Sequence, residues 1–174
     1  MCALGAGIAK TGKLNPEGRQ RALSALRRFC TIGKGVGLQD LTAIATAAVR
    51  EASDGTSFVN QVFSETGLKI HIVSGPQEAR LSAQGVLLGW PGSYGLVCDI
   101  GGASMELAEI SNGEVGKRIT SSLGPLSIAG IAGGKRGQEL FISKQVEVLA
   151  TPDTYSEFVN LRAFVRALRT VHLD

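Results

Sequence analysis

Asp99-Ile100-Gly101-Gly102-Ala103-Ser104-Met105-Glu106 places two carboxylates around a glycine turn at the end of an apolar run, Leu96–Cys98. Glycines without a Cβ let backbone N–H groups approach phosphate oxygens, and the Ser104 hydroxyl can donate to the same group. Asp99 suits a magnesium ion, held mostly through water because magnesium dehydrates reluctantly. Glu106 suits the positioning of metal or water. The competing reading is a plain strand–turn–strand whose Asp satisfies turn amides. An acid inside Leu-Val-Cys-Asp-Ile favours chemistry, because an unpaired carboxylate in a strand buried on both faces is costly.

A second group is Ser74-Gly75-Pro76-Gln77-Glu78-Ala79-Arg80. Glu78 falls in the first turn of a helix after a strand end, where the active sites of open α/β sheets gather, and its carboxylate can orient and deprotonate water. Read structurally, it is an ordinary acid stabilising a helix N-terminus. A third group, Thr46-Ala47-Ala48-Val49-Arg50, sets an Arg just past a strand end, suited to bidentate phosphate contact or to plain surface exposure. His71 and His172 stand alone, with no partner at metal-ligand spacing, and there is no GxSxG or P-loop lysine motif. Gly133–Gly137 and the Arg162, Arg166 and Arg169 set read as a solvated loop and a solvated helix face.

The elements that must position these groups alternate. Asn15 caps a helix with Pro16 at its first position and an apolar stripe of Leu23, Leu26 and Phe29, ended by Gly33, Gly35 and Gly37. Leu41–Ala45 is a strand, Thr46 caps a short helical turn to Ala52, and a helix from Thr56 stops at Gly67. Lys69–Val73 is a strand and Gln77–Leu88 a helix, so strands alternating with helices imply a parallel sheet. The pattern changes at Trp90–Gly95. Leu96–Ile100, Met105–Ile110 and Glu114–Ser121 then follow as antiparallel strands, the last two joined at Asn112-Gly113, a two-residue hairpin signal. Helices follow at 139–150 and 161–173. The expected division is therefore residues 1–94, a first α/β subdomain, and 95–174, a second opening with an antiparallel meander. Glu78 lies in one part and Asp99 and Glu106 in the other, facing a shared cleft.

With 174 residues and 44% hydrophobic content the chain can bury one good core or two small ones. A net charge of +3 does not make a nucleic-acid binder, though a polyanion would tolerate it. The three cysteines, Cys2, Cys30 and Cys98, form no CxxC pair and read as reduced thiols of a cytoplasmic protein. No apolar run is long enough to cross a bilayer, and the first residues lack a signal peptide's pattern.

Taken together, ATAAVREA (Ala45–Ala52), VSGPQEARLSAQGV (Val73–Val86) and DIGGASMEL (Asp99–Leu107) resemble the Ppx/GppA family of exopolyphosphatases and guanosine pentaphosphate phosphohydrolases, as does Cys2–Phe29 upstream. The resemblance is dense to about Leu126. It implies an actin-like, ribonuclease H-like α/β fold in two subdomains. It also implies Glu78 as the catalytic carboxylate, Asp99 and Glu106 at Mg2+, and Arg50, Gly101, Gly102, Ala103 and Ser104 on phosphate. The implied reaction is release of terminal phosphate from inorganic polyphosphate, with guanosine pentaphosphate as the alternative substrate. Partners beyond substrate are limited to a homodimer, with neither nucleic acid nor membrane.

Departures are visible. Ala103 replaces a third loop glycine, Met105 a Thr or Leu, and Gln77 a frequent Glu, while Arg162-Ala163 stands where glycines are usual. The family's first D-x-G-S phosphate loop and its C-terminal domain have no counterpart in these residues, so the resemblance implies either a fragment or a shortened gene product that has lost activity, and little or no turnover is expected of this chain. A non-catalytic remnant that binds polyphosphate, and a sugar or acetate kinase, are the readings from other classes. The absent glycine pair opposes the kinase.

Overall fold

The computed structural model describes residues 2–149 and divides into two units, Met1–Ser74 and a second beginning at Gly75. The first unit runs α1 (Ile8–Thr11), α2 (Pro16–Gly35), β1 (Ala43–Ala45), α3 (Ala47–Glu51), α4 (Gly55–Thr66) and β2 (Ile70–Ile72). Asn15 caps α2 as its type suggests, its side chain accepting from Gly18 N at 2.7 Å. Helix α2 continues through Gly33 and Gly35, and Gly37, with φ +74°, makes the left-handed turn beyond it. Gly67 stops α4 in the left-handed conformation. Strands β1 and β2 pair in parallel, Ala43 opposite Ile70, as the alternation of elements implied. Leu23, Phe58 and Val62 lie at the centre of this unit's core. Arg19 ties α2 to the start of α4, bonding Asp54 at 2.7 Å and Gln61 at 2.8 Å while lying over the Phe58 ring.

The second unit comprises α5 (Gly75–Gly89), β3 (Gly95–Ile100), β4 (Met105–Ser111), β5 (Glu114–Ser121), α6 (Pro125–Ala129) and α7 (Gly134–Leu149). The three strands form an antiparallel sheet in the order β3-β4-β5. Both residues of the β4–β5 turn, Asn112 and Gly113, have positive φ, the conformation a tight two-residue hairpin needs. Alternation along β4 separates two cores. Ala108 and Ile110 pack with Ala79 and Ala83 of α5, while Met105 and Leu107 pack with Val146 and Leu149 of α7. The sheet is a middle layer between two helices.

Two expectations change. Among the described residues, the strand buried on both faces is β4, whereas β3 lies at the edge of the sheet, its Ile100 61% exposed and its Cys98 exposed. Apolar composition cannot separate a central strand from its neighbour, because neighbour pairing decides which is covered. The boundary between units also lies at Gly75, ahead of the break expected near Gly95, because α5 packs on the β3–β5 sheet. The helix expected over 161–173 lies outside the described residues.

Leu107 is 0% exposed, so Leu107→Ala is expected to cost about 2–5 kcal/mol in urea denaturation, and Ile100→Ala under about 0.5 kcal/mol. Equal losses at the two sites would show that β4 is not the covered strand.

Candidate active site

Helix α5 sets two parallel stripes over the sheet. Gly75, Ala79 and Ala83, spaced by four, are buried small residues that let the helix approach closely. A Cβ at Gly75 would stand 2.3 Å from Thr120 Cγ2, so the start of α5 is wedged against β5 at a distance only glycine permits. One position before each of the latter two small residues come Glu78 and Ser82, one helical turn apart on a neighbouring stripe.

Beneath them lies a cross-strand row. Asp99 of β3 pairs with Glu106 of β4, which pairs with Thr120 of β5. Directly opposed residues share a face of the sheet. Glu106, Ala108 and Ile110 alternate onto the same face, and the last two touch α5, so the carboxylates lie on the α5 side. Ser82 Oγ donates to Asp99 Oδ2, and Thr120 Oγ1 donates to Glu106 Oε1 at 2.9 Å.

Glu106 is only 1% exposed, and its Oε2 has no hydrogen-bond partner among the described residues. Burial pushes its carboxyl above the usual range, and the charges of Glu78 and Asp99 push it further. The hydroxyls of Ser104 and Thr120 pull in the opposite direction. The influence of Glu78 on Glu106 places the predicted catalytic carboxylate in the electrical neighbourhood of the predicted metal pair. A buried carboxylate oxygen with no donor is a good acceptor for a cation.

Among the described residues no group of three or more His, Cys, Asp and Glu side chains is poised on a metal position. Two carboxylates still suit magnesium, which keeps several waters and takes its remaining oxygens from phosphate. The donor set fits that ion.

The loop after Asp99 closes as a tight turn supported from α6. Gly101 N donates to Ser104 O at 2.9 Å, closing the turn, and Ala103 and Ser104 are buried. Neither Gly101 nor Gly102 has positive φ. The glycine demanded by close approach is Gly124, where a Cβ would meet Ala103 C at 2.3 Å and Ser104 N at 2.5 Å. Leu126 N to Gly102 O at 2.8 Å and Ser127 Oγ to Ala103 O at 2.6 Å complete the loop's support from α6.

Of the predicted site residues, Glu78, Asp99, Gly101, Gly102, Ala103, Ser104 and Glu106 all belong to the second unit. They are not divided between two halves as expected, because α5 belongs with the sheet. Arg50 belongs to the first unit, where Nη1 donates to Val73 O at 2.8 Å at the end of β2. Sequence reading missed Ser82, Thr120 and Gly124. Ser82 was within reach, four residues after Glu78 on one helix face. Thr120 was not, because its place opposite Glu106 depends on a bulge.

A carboxylate pair on opposed strands, beneath a helix carrying a third acid, defines an acidic site suited to metal-assisted phosphate chemistry. Residues 2–132 match the Ppx/GppA phosphatase family, and the chain belongs to it. Exopolyphosphatase 1 of Mycobacterium leprae is 34% identical over 100 residues, covering 56% of this chain and 30% of the relative. The bifunctional 3-dehydroquinate synthase/phosphatase of Fusobacterium nucleatum is 30% identical over 130 residues, covering 72% of this chain and 20% of the relative. The chain thus spans a third or less of these curated relatives. The crystal structure of an exopolyphosphatase from Cytophaga hutchinsonii superposes with a TM-score of 0.74 at 24% identity, over 84% of this chain and 49% of that one. The fold is accordingly the actin-like, mixed α/β fold expected from the sequence motifs.

A raised pKa in the folded state means that native Glu106 binds its proton more tightly than the unfolded chain does. Its contribution is then fully present below the unfolded value, near 4.5, and is lost as pH rises through the folded value. Glu106→Gln, measured in EDTA, is therefore expected to raise the thermal midpoint at pH 7, with a gain that fades toward pH 4. A pH-independent effect would contradict the burial of a titrating carboxyl.

Proposed function

We propose that the chain carries the acidic half-site of a phosphoanhydride hydrolase that releases terminal phosphate from inorganic polyphosphate. The observation that carries this reading is the Asp99–Glu106–Thr120 row beneath the helix bearing Glu78. The family membership and the exopolyphosphatase names among the chain's relatives agree with it.

In this reading Glu78 orients a water toward the terminal phosphorus and accepts its proton. A bond forms from that water oxygen to phosphorus, the anhydride P–O bond breaks, and the chain shortened by one phosphate leaves with the bond's electrons. Asp99 and Glu106 would hold Mg2+, which neutralises phosphate charge when bound. Ser104 and the turn Gly101-Gly102-Ala103 support the phosphate-facing end of β3. Arg50, in the first unit, is the residue that the family resemblance assigns to phosphate. Most of the acceleration comes from positioning and charge neutralisation, since little covalent chemistry is asked of the protein. The same chemistry on guanosine pentaphosphate is the alternative, separated by assaying both substrates side by side. No described helix is long and apolar enough to cross a membrane.

Phosphate release from polyphosphate, with Mg2+ and with EDTA, tests the assignment. In a longer form of the protein that turns over polyphosphate, Glu78→Gln is expected to lower release by about 10²–10⁴-fold with the fold intact, as for removal of a general base. Unchanged turnover would remove Glu78 from that role, and turnover indifferent to EDTA would remove the metal. Arg50→Ala is expected to raise KM by about tenfold, the equivalent of roughly 1.4 kcal/mol, with kcat less affected. A loss confined to kcat would argue against a ground-state phosphate contact.

A further inference from the structure

We propose that Ser82 and Thr120 are positioning residues that hold Asp99 and Glu106 as a preformed seat for a divalent cation. The inference rests on the reading of those two acids as metal ligands.

Like charges directly opposite on neighbouring strands repel, and free carboxylates would rotate apart. Here one oxygen of each is held by a hydroxyl. Ser82 Oγ bonds Asp99 Oδ2, and Thr120 Oγ1 bonds Glu106 Oε1. Buried Glu106 Oε2 has no hydrogen-bond partner among the described residues, which is the state a ligand oxygen awaiting a cation must have.

Both hydroxyls are fixed by packing. Ser82 rides on α5 between buried Ala79 and Ala83, so the helix cannot turn without unseating its small stripe. Thr120 is β-branched, with few χ1 choices, and lies against the Gly75 backbone where no Cβ would fit. Helix α5 therefore holds the Asp99 tether directly and braces the Glu106 tether by contact, while carrying Glu78 itself. A hydroxyl is the right tether because it donates to a carboxylate without adding a positive charge that would compete with the cation. Such outer partners typically govern metal affinity more than stability.

The test is Mn2+ binding to the full chain, followed by the EPR signal of free Mn2+, with thermal midpoints measured alongside. Ser82→Ala and Thr120→Val are expected to weaken Mn2+ binding about 10–100-fold, whereas Ser82→Thr and Thr120→Ser stay within about threefold of wild type. Ser82→Ala should leave the midpoint nearly unchanged, since alanine suits a helix interior. Wild-type affinity in both hydroxyl-free variants would overturn the positioning role while leaving the metal site standing. An absence of Mn2+ binding by wild type, unchanged by Asp99→Asn, would remove the metal site and this inference with it.

Discussion

The close seating of α5 on the β3–β5 sheet is the constraint on which the acidic site depends. It is made possible by what is missing from side chains: no Cβ at Gly75, and only methyl groups at Ala79 and Ala83. A larger residue on that stripe would lift the helix, because cores tolerate added methylenes poorly. Lifting it would separate Ser82 from Asp99 and move Glu78 away from Glu106. Packing of plain small residues thus sets the distances among three acids that would otherwise repel one another. The apolar contacts of Ala79 and Ala83 with Ala108 and Ile110 supply an attraction that charge alone opposes.

Glu106 shows the tension most clearly. Its charge is disfavoured by burial and by two neighbouring carboxylates, and only hydroxyls favour it. A protein selected for stability alone would replace it with an apolar side chain, as buried ionised groups are weak contributors to folding. Its retention in a well-packed strand, between Met105 and Leu107, makes sense if a cation offsets the cost during the working state. In the proposed metal site, a cation bound to the native state would offset that cost and by mass action would add to fold stability.

Much of the local structure was legible in the sequence. The Asn15-Pro16 start, the Gly67 stop and the Asn112-Gly113 hairpin follow from backbone chemistry that operates within a few residues, and the parallel β1–β2 pair from the alternation of strands with helices. The candidate acids were legible too, because glycine turns flanked by carboxylates are unusual enough to notice. Illegible were relations set by tertiary neighbours. Which strand is central depends on what pairs beside it, so the apolar run Leu96–Ile100 pointed to β3 when β4 is the covered strand. Asp54 was not expected at a helix start, because its role is long-range: it accepts from Leu14 N at 2.9 Å and pairs with Arg19 across the core.

The register of the hairpin shows how narrow that gap can be. Counting straight back from Ser111 opposite Glu114 would set Glu106 opposite Ile119. Between Ile110–Val115 and Ala108–Arg118, however, β5 spends two residues, Gly116 and Lys117, against the single Glu109 of β4. That bulge advances the pairing by one and brings Thr120, a hydroxyl, to the carboxylate. Because side chains alternate with period two, the shift also turns Ile119 to the opposite face, where it packs with Met105 and Leu107. One extra residue therefore satisfies two demands at once, an apolar partner for one core and a donor for the buried acid. An unbulged hairpin of the same length would bury Ile119 against Glu106 and leave that carboxylate without its Thr120 bond, a cost of roughly 1–3 kcal/mol. The site's chemistry is in this sense written into a backbone irregularity that lies beyond the last motif announcing it.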